Sequence, residues 1–184
     1  MGIKKNIDLN VQFPMPVAIV GTMFQGKPNF STIAWLTRVN ANPPMLGFAI
    51  SKTKLTADAV ILNKEFSINI PNRHQIRETD YVGMVSGKRT DKSNIFDIAF
   101  GDQKKSPLIE DAPLNIECKF VDKIELPSNW WVVGEITKVW CAEEALTNGI
   151  PDYTKMKSLI LTMPDNKYRL VGKDIADAWK VTKL

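Results

Sequence analysis

Residues 42–62 read Asn42-Pro-Pro-Met-Leu-Gly-Phe-Ala-Ile-Ser-Lys-Thr-Lys-Leu-Thr-Ala-Asp-Ala-Val-Ile-Leu62. The first half is an apolar run that follows two prolines and ends at Ser51, a pattern that predicts a mostly buried strand. The second half predicts a helix with Thr56 as its N-cap and with Asp58 in the first turn, where the helix dipole favours negative charge. The rest of the chain is interpreted around this strand-to-helix unit.

The turn between this strand and this helix is rich in hydroxyl and ammonium groups, carried by Ser51, Lys52, Thr53, Lys54 and Thr56. Free N–H groups at the start of a helix, together with hydroxyl donors and lysines, form a site for phosphate or another anion. The same residue types are common in ordinary solvated turns. These residues alone therefore leave both interpretations open.

Length and composition predict one globular domain that spans residues 1–184, because 44% hydrophobic and 24% charged residues are ordinary globular values. The formal net charge of +4 suits an anionic small ligand as well as nucleic acid. Asp and Glu are interspersed with Lys and Arg, and no basic arm stands out. We therefore expect no nucleic-acid partner.

The sequence also indicates a compartment. No apolar run approaches the length of a membrane span, and no apolar segment follows the basic residues near the start, so we expect neither membrane insertion nor secretion. The two cysteines, Cys118 and Cys141, are too few for a disulfide framework and are not spaced like metal ligands. We expect reduced thiols in the cytoplasm and no metal site.

The chain has one histidine, His74. Serine or cysteine triads that use an imidazole, and zinc sites built from histidine and cysteine clusters, would all depend on this residue. His74 lies in a polar stretch after Pro71, which predicts a turn of a surface helix. We therefore assign no catalytic side chain.

Most of the other segments predict strands. Residues 16–24 and 29–36 predict a hairpin around a turn at 25–28, and residues 65–70 predict a further strand. Residues 114–120 and 130–141 predict a second hairpin, because apolar and polar positions alternate, and residues 158–162 predict a last strand.

Helices are expected at residues 73–85, ended by Gly87 in the left-handed conformation, and at 95–100 and 173–180. Strands outnumber helices, and the two do not alternate as in a doubly wound sheet. We therefore predict a mainly β (α+β) fold, a closed antiparallel barrel with short helical insertions.

Two motifs suggest other functions. Gly21-Thr-Met-Phe-Gln-Gly26-Lys27 has the spacing of a P-loop, but Pro28 stands where a hydroxyl must bind magnesium and open a helix. Trp130, Trp131 and Trp140 could form a platform for single-stranded nucleic acid. Aromatic residues in barrel strands more often belong to the core or to a subunit interface, and we prefer that interpretation.

Several short motifs occur together in one order. They are Asn29-Phe-Ser-Thr-Ile-Ala-Trp35, Asn42-Pro-Pro44 with the strand into Ser51-Lys52, Thr56 before the helix, Phe66-Ser-Ile-Asn-Ile-Pro71, Val85-Ser-Gly87 with Asp91-Lys92, Pro107-Leu-Ile109, and Leu114-Asn-Ile-Glu-Cys118. Through this ordered set of motifs the chain resembles the flavin reductase-like family of FMN-binding split barrels, of which flavoredoxins are members. The resemblance runs from about residue 16 to residue 140.

The resemblance implies a six-stranded antiparallel split β-barrel, a homodimer, and FMN held non-covalently near the dimer interface. It implies that the phosphate is held by Ser51, Lys52 and Thr56 together with Ser86, Gly87, Asp91 and Lys92. It implies that the isoalloxazine ring is lined by Thr32, Ile33, Ala34 and Trp35, with Asn69, Ile70 and Pro71 nearby. Lys52 stands where relatives often have arginine, which keeps the charge but gives up the bidentate fork.

The function that this resemblance implies is an FMN-binding oxidoreductase. Electrons would come from NAD(P)H or a small redox partner and pass through the flavin, while the protein binds and orients the cofactor. The alternative is a non-catalytic flavin carrier or sensor that uses the same barrel.

Overall fold

The structure is a computed structural model that describes residues 4–180. Its strands are β1 (Gln12–Pro16), β2 (Ala18–Phe24), β3 (Lys27–Ile33), β4 (Leu36–Asn40), β5 (Met45–Ser51), β6 (Glu65–Ile70), β7 (Ile98–Ala99), β8 (Leu108–Ile109), β9 (Leu114–Glu125), β10 (Asn129–Cys141), β11 (Leu146–Thr147), β12 (Ile150–Pro151), β13 (Leu159–Met163) and β14 (Lys167–Leu170). Its α-helices are α1 (Leu55–Asn63), α2 (Ile76–Met84) and α3 (Tyr153–Met156), and Arg73–Gln75 and Glu143–Ala145 form 3-10 turns.

Seven antiparallel strands form the main sheet, in the order β3-β2-β6-β9-β10-β5-β4. The two edge strands, β3 and β4, follow each other in the chain and are joined by Ala34 and Trp35. The chain therefore crosses from one edge of the sheet to the other at these two residues, and the Ala49 N–H of β5 donates to the Trp35 carbonyl at 2.9 Å, which extends the β4–β5 ladder. We call this crossing the seam.

The predicted fold class, a mainly β split barrel with short helices, is confirmed, although the main sheet has seven strands rather than six. The expected strand 29–36 divides into β3 and β4, because the chain crosses at the seam from one edge of the sheet to the other. The hairpins β2–β3 and β9–β10 are both present. Gly21–Lys27 thus forms a hairpin and not a P-loop.

The core follows the two-residue period of the strands. In β2, Ala18 and Val20 face the barrel interior, whereas Ile19 packs outside it with residues of α2. Helix α1 contributes Ala57 and Val60 to the interior cluster and therefore fills one end of the barrel. The start of α1 and the end of α2 consequently both lie against β3.

Several local predictions for the helices are wrong. Lys54 and not Thr56 is the N-cap of α1, so Thr56 lies inside the first turn and is buried. Helix α2 ends at Met84 because Val85 is already extended, with φ −81° and ψ 148°. Gly87 consequently has no role as a left-handed cap, and its φ is not positive.

The other two expected helices do not form. Residues 95–100 form turns that lead into β7, which pairs with β8. Residues 173–180 form bends and turns, and Ile175 and Trp179 are 99% and 93% exposed. A short helix needs an apolar face to bury, and this segment buries none. Among the helices of residues 4–180, none is long and apolar enough to cross a membrane.

Candidate functional site

A cavity of about 260 Å³ opens at the seam, and we call it the strand-end cavity. It is lined by Ser31, Thr32, Ile33, Ala34, Trp35, Ala49, Ile50, Ser51, Lys54, Asn129, Leu161 and Met163. Five predicted site residues are therefore brought together: Thr32 to Trp35, and Ser51 from the end of β5. Leu161 and Met163 come from β13, which belongs to a separate sheet with β1 and β14.

Ser31 has an unsatisfied hydroxyl in the wall of this cavity. The residue is 1% exposed, and its Oγ has no hydrogen-bond partner within residues 4–180. A buried polar group without a partner costs about 1–3 kcal/mol. Four side chains of the described residues are in this state, Ser31, Glu78, Thr79 and Ser158, and of these Ser31 lines the strand-end cavity. Ser31 was not among the predicted site residues, although it lies on the same face of β3 as Ile33.

Two backbone donors accompany this hydroxyl. The N–H groups of Ala34 and Trp35 stand at the seam, where neither strand continues, and in the described part of the chain they donate to no acceptor. Thr32 instead directs its hydroxyl away from the seam, to the Thr79 carbonyl of α2. The residues that line the cavity thus include one hydroxyl and two N–H groups without a partner in residues 4–180.

Lys54, the N-cap of α1, lines the cavity together with Ser51, and α1 begins directly after it. The Ser51 and Thr53 hydroxyl oxygens are 2.9 Å apart, and the first N–H groups of a helix have no acceptor inside the helix. The Thr56 Oγ1 accepts a hydrogen bond from Asn29 Nδ2 at 2.7 Å, so its own O–H can still donate. The start of α1 thus groups hydroxyl and N–H donors.

Lys54 and Lys92 bring two ammonium groups to this helix start. Lys54 Nζ donates to the Gly83 carbonyl at 2.6 Å, and Lys92 Nζ donates to the carbonyls of Phe30 at 2.9 Å and Val82 at 2.8 Å. Lys92 is 2% exposed, and neither lysine forms a salt bridge within the described residues. Burial, and next the nearby charge of Lys54, lower the pKa of Lys92 to about 8. An anion would relieve the repulsion between the two.

A second cavity, of about 630 Å³, lies beyond Lys92, and we call it the basic cavity. Its lining includes the predicted residues Gly87, Asp91 and Lys92. Asp91 bonds to Lys27 Nζ at 2.6 Å, and this contact, with bonds from Ser93, holds the pKa of its carboxyl below the usual range. Ser86 starts the turn of this loop, where its carbonyl accepts the N–H groups of Arg89 and Thr90.

Lys52 is not brought to either cavity. Its Nζ pairs with Glu125 Oε1 at 2.7 Å and lies 5.0 Å from the centre of a Trp130 ring, and its N–H donates to Ser128. The cation is therefore held on the β9–β10 hairpin. Lys54, two residues later, lines the strand-end cavity instead.

The segment Asn69 to Pro71 also lies away from the strand-end cavity. Asn69 is fully buried, donates to Ile19 and Ser67, and accepts from the Ile109 N–H and from Asn115 Nδ2. Ile70 packs against the interior core, and Pro71 is buried at the end of β6. Asn69 thus joins β2, β6, β8 and β9 by hydrogen bonds.

The site residues that sequence reasoning missed differ in how they could have been found. Lys54 stands in the stretch already chosen as an anion site, and Asn29 begins the motif that ends at Trp35. Leu161 and Met163 come from a strand near the end of the chain, and no local pattern connects that strand to the seam. Their place depends on the pairing of β13 with β1.

Comparison with known proteins gives consistent results. A family model described as the flavin reductase like domain matches residues 11–169. The crystal structure of flavoredoxin from Methanosarcina acetivorans is 42% identical, with a TM-score of 0.95 over 99% of this chain and 98% of that chain. Flavoredoxin of Desulfovibrio vulgaris (Miyazaki F) is 29% identical, with a TM-score of 0.92 over 98% and 100%. An FMN-binding protein from Thermus thermophilus, with bound 1-cyclohex-2-enone, shares the fold at 21% identity, with a TM-score of 0.80 over 96% and 97%.

Proposed function

The chain belongs to the flavin reductase like family, and from this premise we propose that it is an FMN-dependent oxidoreductase that receives its electrons from a reduced nicotinamide or a small redox partner. A flavin-related oxidoreductase function follows from the family. FMN as the cofactor, the nicotinamide and the residues that bind them are the content of the proposal.

The unpartnered hydroxyl of Ser31 carries the proposal. It lies buried in the strand-end cavity, and the N–H groups of Ala34 and Trp35 line the same seam. The edge of an isoalloxazine ring carries carbonyl, N–H and ring nitrogen groups, which match such a set of donors and acceptors. The residues present therefore fit a flavin ring.

The start of α1 fits the phosphate. Ser51 and Thr56 supply hydroxyl groups, and Lys54 and Lys92 supply the charge. An ammonium group has three donors. Lys92 uses two on carbonyls and Lys54 uses one, so both can still donate to a phosphate without losing the bonds that hold them in place.

If FMN is bound here, the cofactor itself would supply the redox chemistry, hydride uptake and onward electron transfer. The protein groups would bind, orient and stabilise charge. The N–H groups of Ala34 and Trp35 would donate to the ring edge and offset negative charge that develops there on reduction. This function requires no acid or base side chain in the strand-end cavity.

The proposal includes a homodimer. Phe13 and Trp35 are 78% and 45% exposed, and with Trp131 they line an apolar cavity of about 580 Å³ that adjoins the strand-end cavity at Ala34 and Trp35. Exposed apolar patches of this kind mark interaction surfaces. Multi-angle light scattering should give twice the 20.7 kDa of the chain, and a monomer mass would contradict the homodimer.

The test of the function starts with the absorption spectrum of the purified protein, which should show the two visible bands of oxidised flavin. Anaerobic stopped-flow mixing with NADH and NADPH should bleach these bands, whereas a passive carrier or sensor would not react at a useful rate. A colourless protein that also fails to bind added FMN would exclude the function.

The phosphate site has a matched set of variants. Lys54→Met and Lys92→Met should each lower FMN affinity by about tenfold or more, because each loses a charged hydrogen bond. The affinity for riboflavin, which lacks the phosphate, should change by less than about threefold in either variant. Lys52→Met, which removes a lysine of the same turn that pairs with Glu125, should leave both affinities within about twofold.

A further inference from the structure

A cavity of about 380 Å³ is lined by residues of two sheets, and we call it the inter-sheet cavity. Pro16 and Ile160 belong to the small sheet of β1, β13 and β14. Ile70 and Leu114 pair at the ends of β6 and β9 in the main sheet. We infer that this cavity is a further ligand site, which binds an uncharged, mostly apolar small molecule with one hydrogen-bonding group. The inference goes beyond the proposed function and does not rest on it.

The inter-sheet cavity has an exposed rim and a buried floor. Pro14 and Tyr153 are exposed and form the rim, whereas Val17 and Leu159 are 1% and 3% exposed and form the floor. The Val17 N–H donates to the Leu159 carbonyl at 3.1 Å, which joins the two floor residues by a backbone hydrogen bond. The floor is therefore held in place by the fold, and a small molecule can reach it from solvent.

Ser158 adds an unsatisfied hydroxyl group to this lining. The residue is 6% exposed, and its Oγ has no hydrogen-bond partner within residues 4–180. Its backbone is fixed, because Ser158 forms an antiparallel β-bridge with Asn72. Among the four buried side chains of the described residues that lack a partner, Ser158 is the one that lines the inter-sheet cavity. A ligand that exchanges a hydrogen bond with this hydroxyl would remove the cost of burying it unpaired.

The composition of the lining indicates the class of ligand. None of the described residues that line the cavity is charged, and the hydroxyl groups of Ser158 and Tyr153 are their only side-chain oxygen atoms. A charged ligand would lose its water here without gaining an opposite charge, so we expect a neutral ligand. The remaining side chains present carbon and one methionine sulfur, a surface that favours an apolar body.

The volume of the cavity limits the size of the ligand. An engineered apolar cavity of about 150 Å³ in another protein binds benzene. The inter-sheet cavity, at about 380 Å³, therefore has room for a ring that carries a substituent. Benzyl alcohol is a suitable probe, because it joins such a ring to one hydroxyl group.

The inter-sheet cavity is separate from the strand-end cavity. Strand β13 contributes Leu161 and Met163 to the strand-end cavity, and it contributes Leu159 and Ile160 to the inter-sheet cavity. Within the described part of the chain the two cavities share no lining residue. A flavin in the strand-end cavity would leave the inter-sheet cavity free, so the probe and FMN should not compete.

The experiment follows probe binding by NMR in the full-length chain, with the methyl groups of isoleucine, leucine and valine labelled. Benzyl alcohol is compared with ethylbenzene, which has the same number of non-hydrogen atoms but no hydroxyl group. The methyl signals of Leu159 and Ile160 report on the inter-sheet cavity, and those of Ile33 and Ile50 report on the strand-end cavity. Each titration is repeated with saturating FMN.

Two serine variants test the hydrogen bond. Ser158→Ala removes the hydroxyl group and keeps the cavity. Ser128→Ala is the matched control, because Ser128 is an exposed serine that lines neither cavity. Thermal unfolding checks the fold of both variants, and Ser158→Ala should not destabilise the chain, because its hydroxyl has no partner to lose.

We expect benzyl alcohol to shift the Leu159 and Ile160 signals in a saturable manner, with or without FMN. Ser158→Ala should lower the affinity for benzyl alcohol by about fivefold, because a hydrogen bond is lost, while the affinity for ethylbenzene stays within about twofold. Ser128→Ala should change neither affinity.

Three results would overturn the inference. The first is the absence of saturable shifts at Leu159 and Ile160 with benzyl alcohol. The second is that Ser158→Ala leaves the affinity for benzyl alcohol unchanged, or lowers it no more than the affinity for ethylbenzene. The third is displacement of benzyl alcohol by FMN, with shifts at Ile33 and Ile50, which would place the probe in the strand-end cavity. A chain that binds benzyl alcohol as expected but binds no flavin would support this inference and overturn the proposed function alone.

Discussion

We predict that the binding of FMN depends on pH through Lys92. In the flavin-free chain, burial and the neighbouring Lys54 lower the pKa of Lys92 to about 8. Raising the pH from 7 to 9 therefore removes the charge of Lys92 while most other lysines keep theirs. A bound phosphate stabilises the charged form, so the pKa of Lys92 rises in the complex.

The magnitude follows from the titration of this one group. With a pKa of about 8, the charged fraction of Lys92 is about 0.9 at pH 7 and about 0.1 at pH 9. If the phosphate keeps Lys92 charged in the complex, FMN affinity falls by about tenfold over this range. Affinity is thus greatest below pH 8 and declines as the pH rises.

The stability of the flavin-free chain should change in the opposite direction. The pKa of Lys92 is lower in the folded chain than its ordinary value of 10.5, so the unfolded chain holds more protons between these two values. The free energy of unfolding therefore gains a contribution from Lys92 as the pH rises above about 8. Denaturant unfolding at a series of pH values measures this contribution, and Lys92→Met should lack it.

The affinity is measured by the quenching of flavin fluorescence on titration with the flavin-free chain at pH 7, 8 and 9. Riboflavin is the ligand control, since it has no phosphate. Lys92→Arg is the protein control, because a guanidinium stays charged throughout this range. The reasoning is refuted if FMN affinity is flat from pH 7 to 9, or if riboflavin affinity falls to the same extent. It is also refuted if the FMN affinity of Lys92→Arg still falls over this pH range.

Three further variants test the site and its support. Ser31→Ala should lower the affinity for both FMN and riboflavin by about fivefold, measured by the same titration. It should not destabilise the flavin-free chain, because the Ser31 hydroxyl has no partner there. A flavin affinity equal to that of the wild type would remove Ser31 from the ring site. Asn69→Ala should lower the free energy of unfolding by about 2–4 kcal/mol, because its buried partners at Ile109 and Asn115 lose their acceptor. A loss of flavin affinity at unchanged stability would instead favour contact of Asn69 with the ring. Glu117→Gln should lower the free energy of unfolding by about 2 kcal/mol, since the fully buried side chain accepts from the Gln103 N–H at 2.7 Å and from Trp140 Nε1 at 2.9 Å. Denaturant unfolding measures this loss, with Asp122→Asn, a substitution at an exposed residue, as the control.

Much of the fold could be predicted because local patterns carry it. Residues 65–70 form β6 as expected, and residues 130–141 lie within β10, because alternation of apolar and polar positions is a property of each segment itself. The failures lie where no such pattern exists. Residues 173–180 contain good helix formers but meet no surface that would bury Ile175 or Trp179.

The site shows the same division. The strand-to-helix stretch from Asn42 to Leu62 was correctly predicted as β5 followed by α1, and its turn is the anion site that we propose. The sequence could not decide which lysine of this turn lies at the proposed anion site. Lys52 is held by Glu125, which is 73 positions away in the chain, whereas Lys54 reaches the Gly83 carbonyl at the end of α2.

The sequence by itself thus determined the two hairpins, strands β5, β6 and β13, the helix that follows Ser51, and the family to which the ordered motifs belong, because each of these depends on residue types at short spacing. Only the tertiary structure decided which side chains share a cavity. At the seam Trp35 accepts a hydrogen bond from Ala49 of β5, α2 supplies carbonyls to Lys54 and Lys92, and β13 contributes Leu161 and Met163. These contacts link residues far apart in the chain, so their geometry depends on how the sheet curls and closes, which no local pattern specifies.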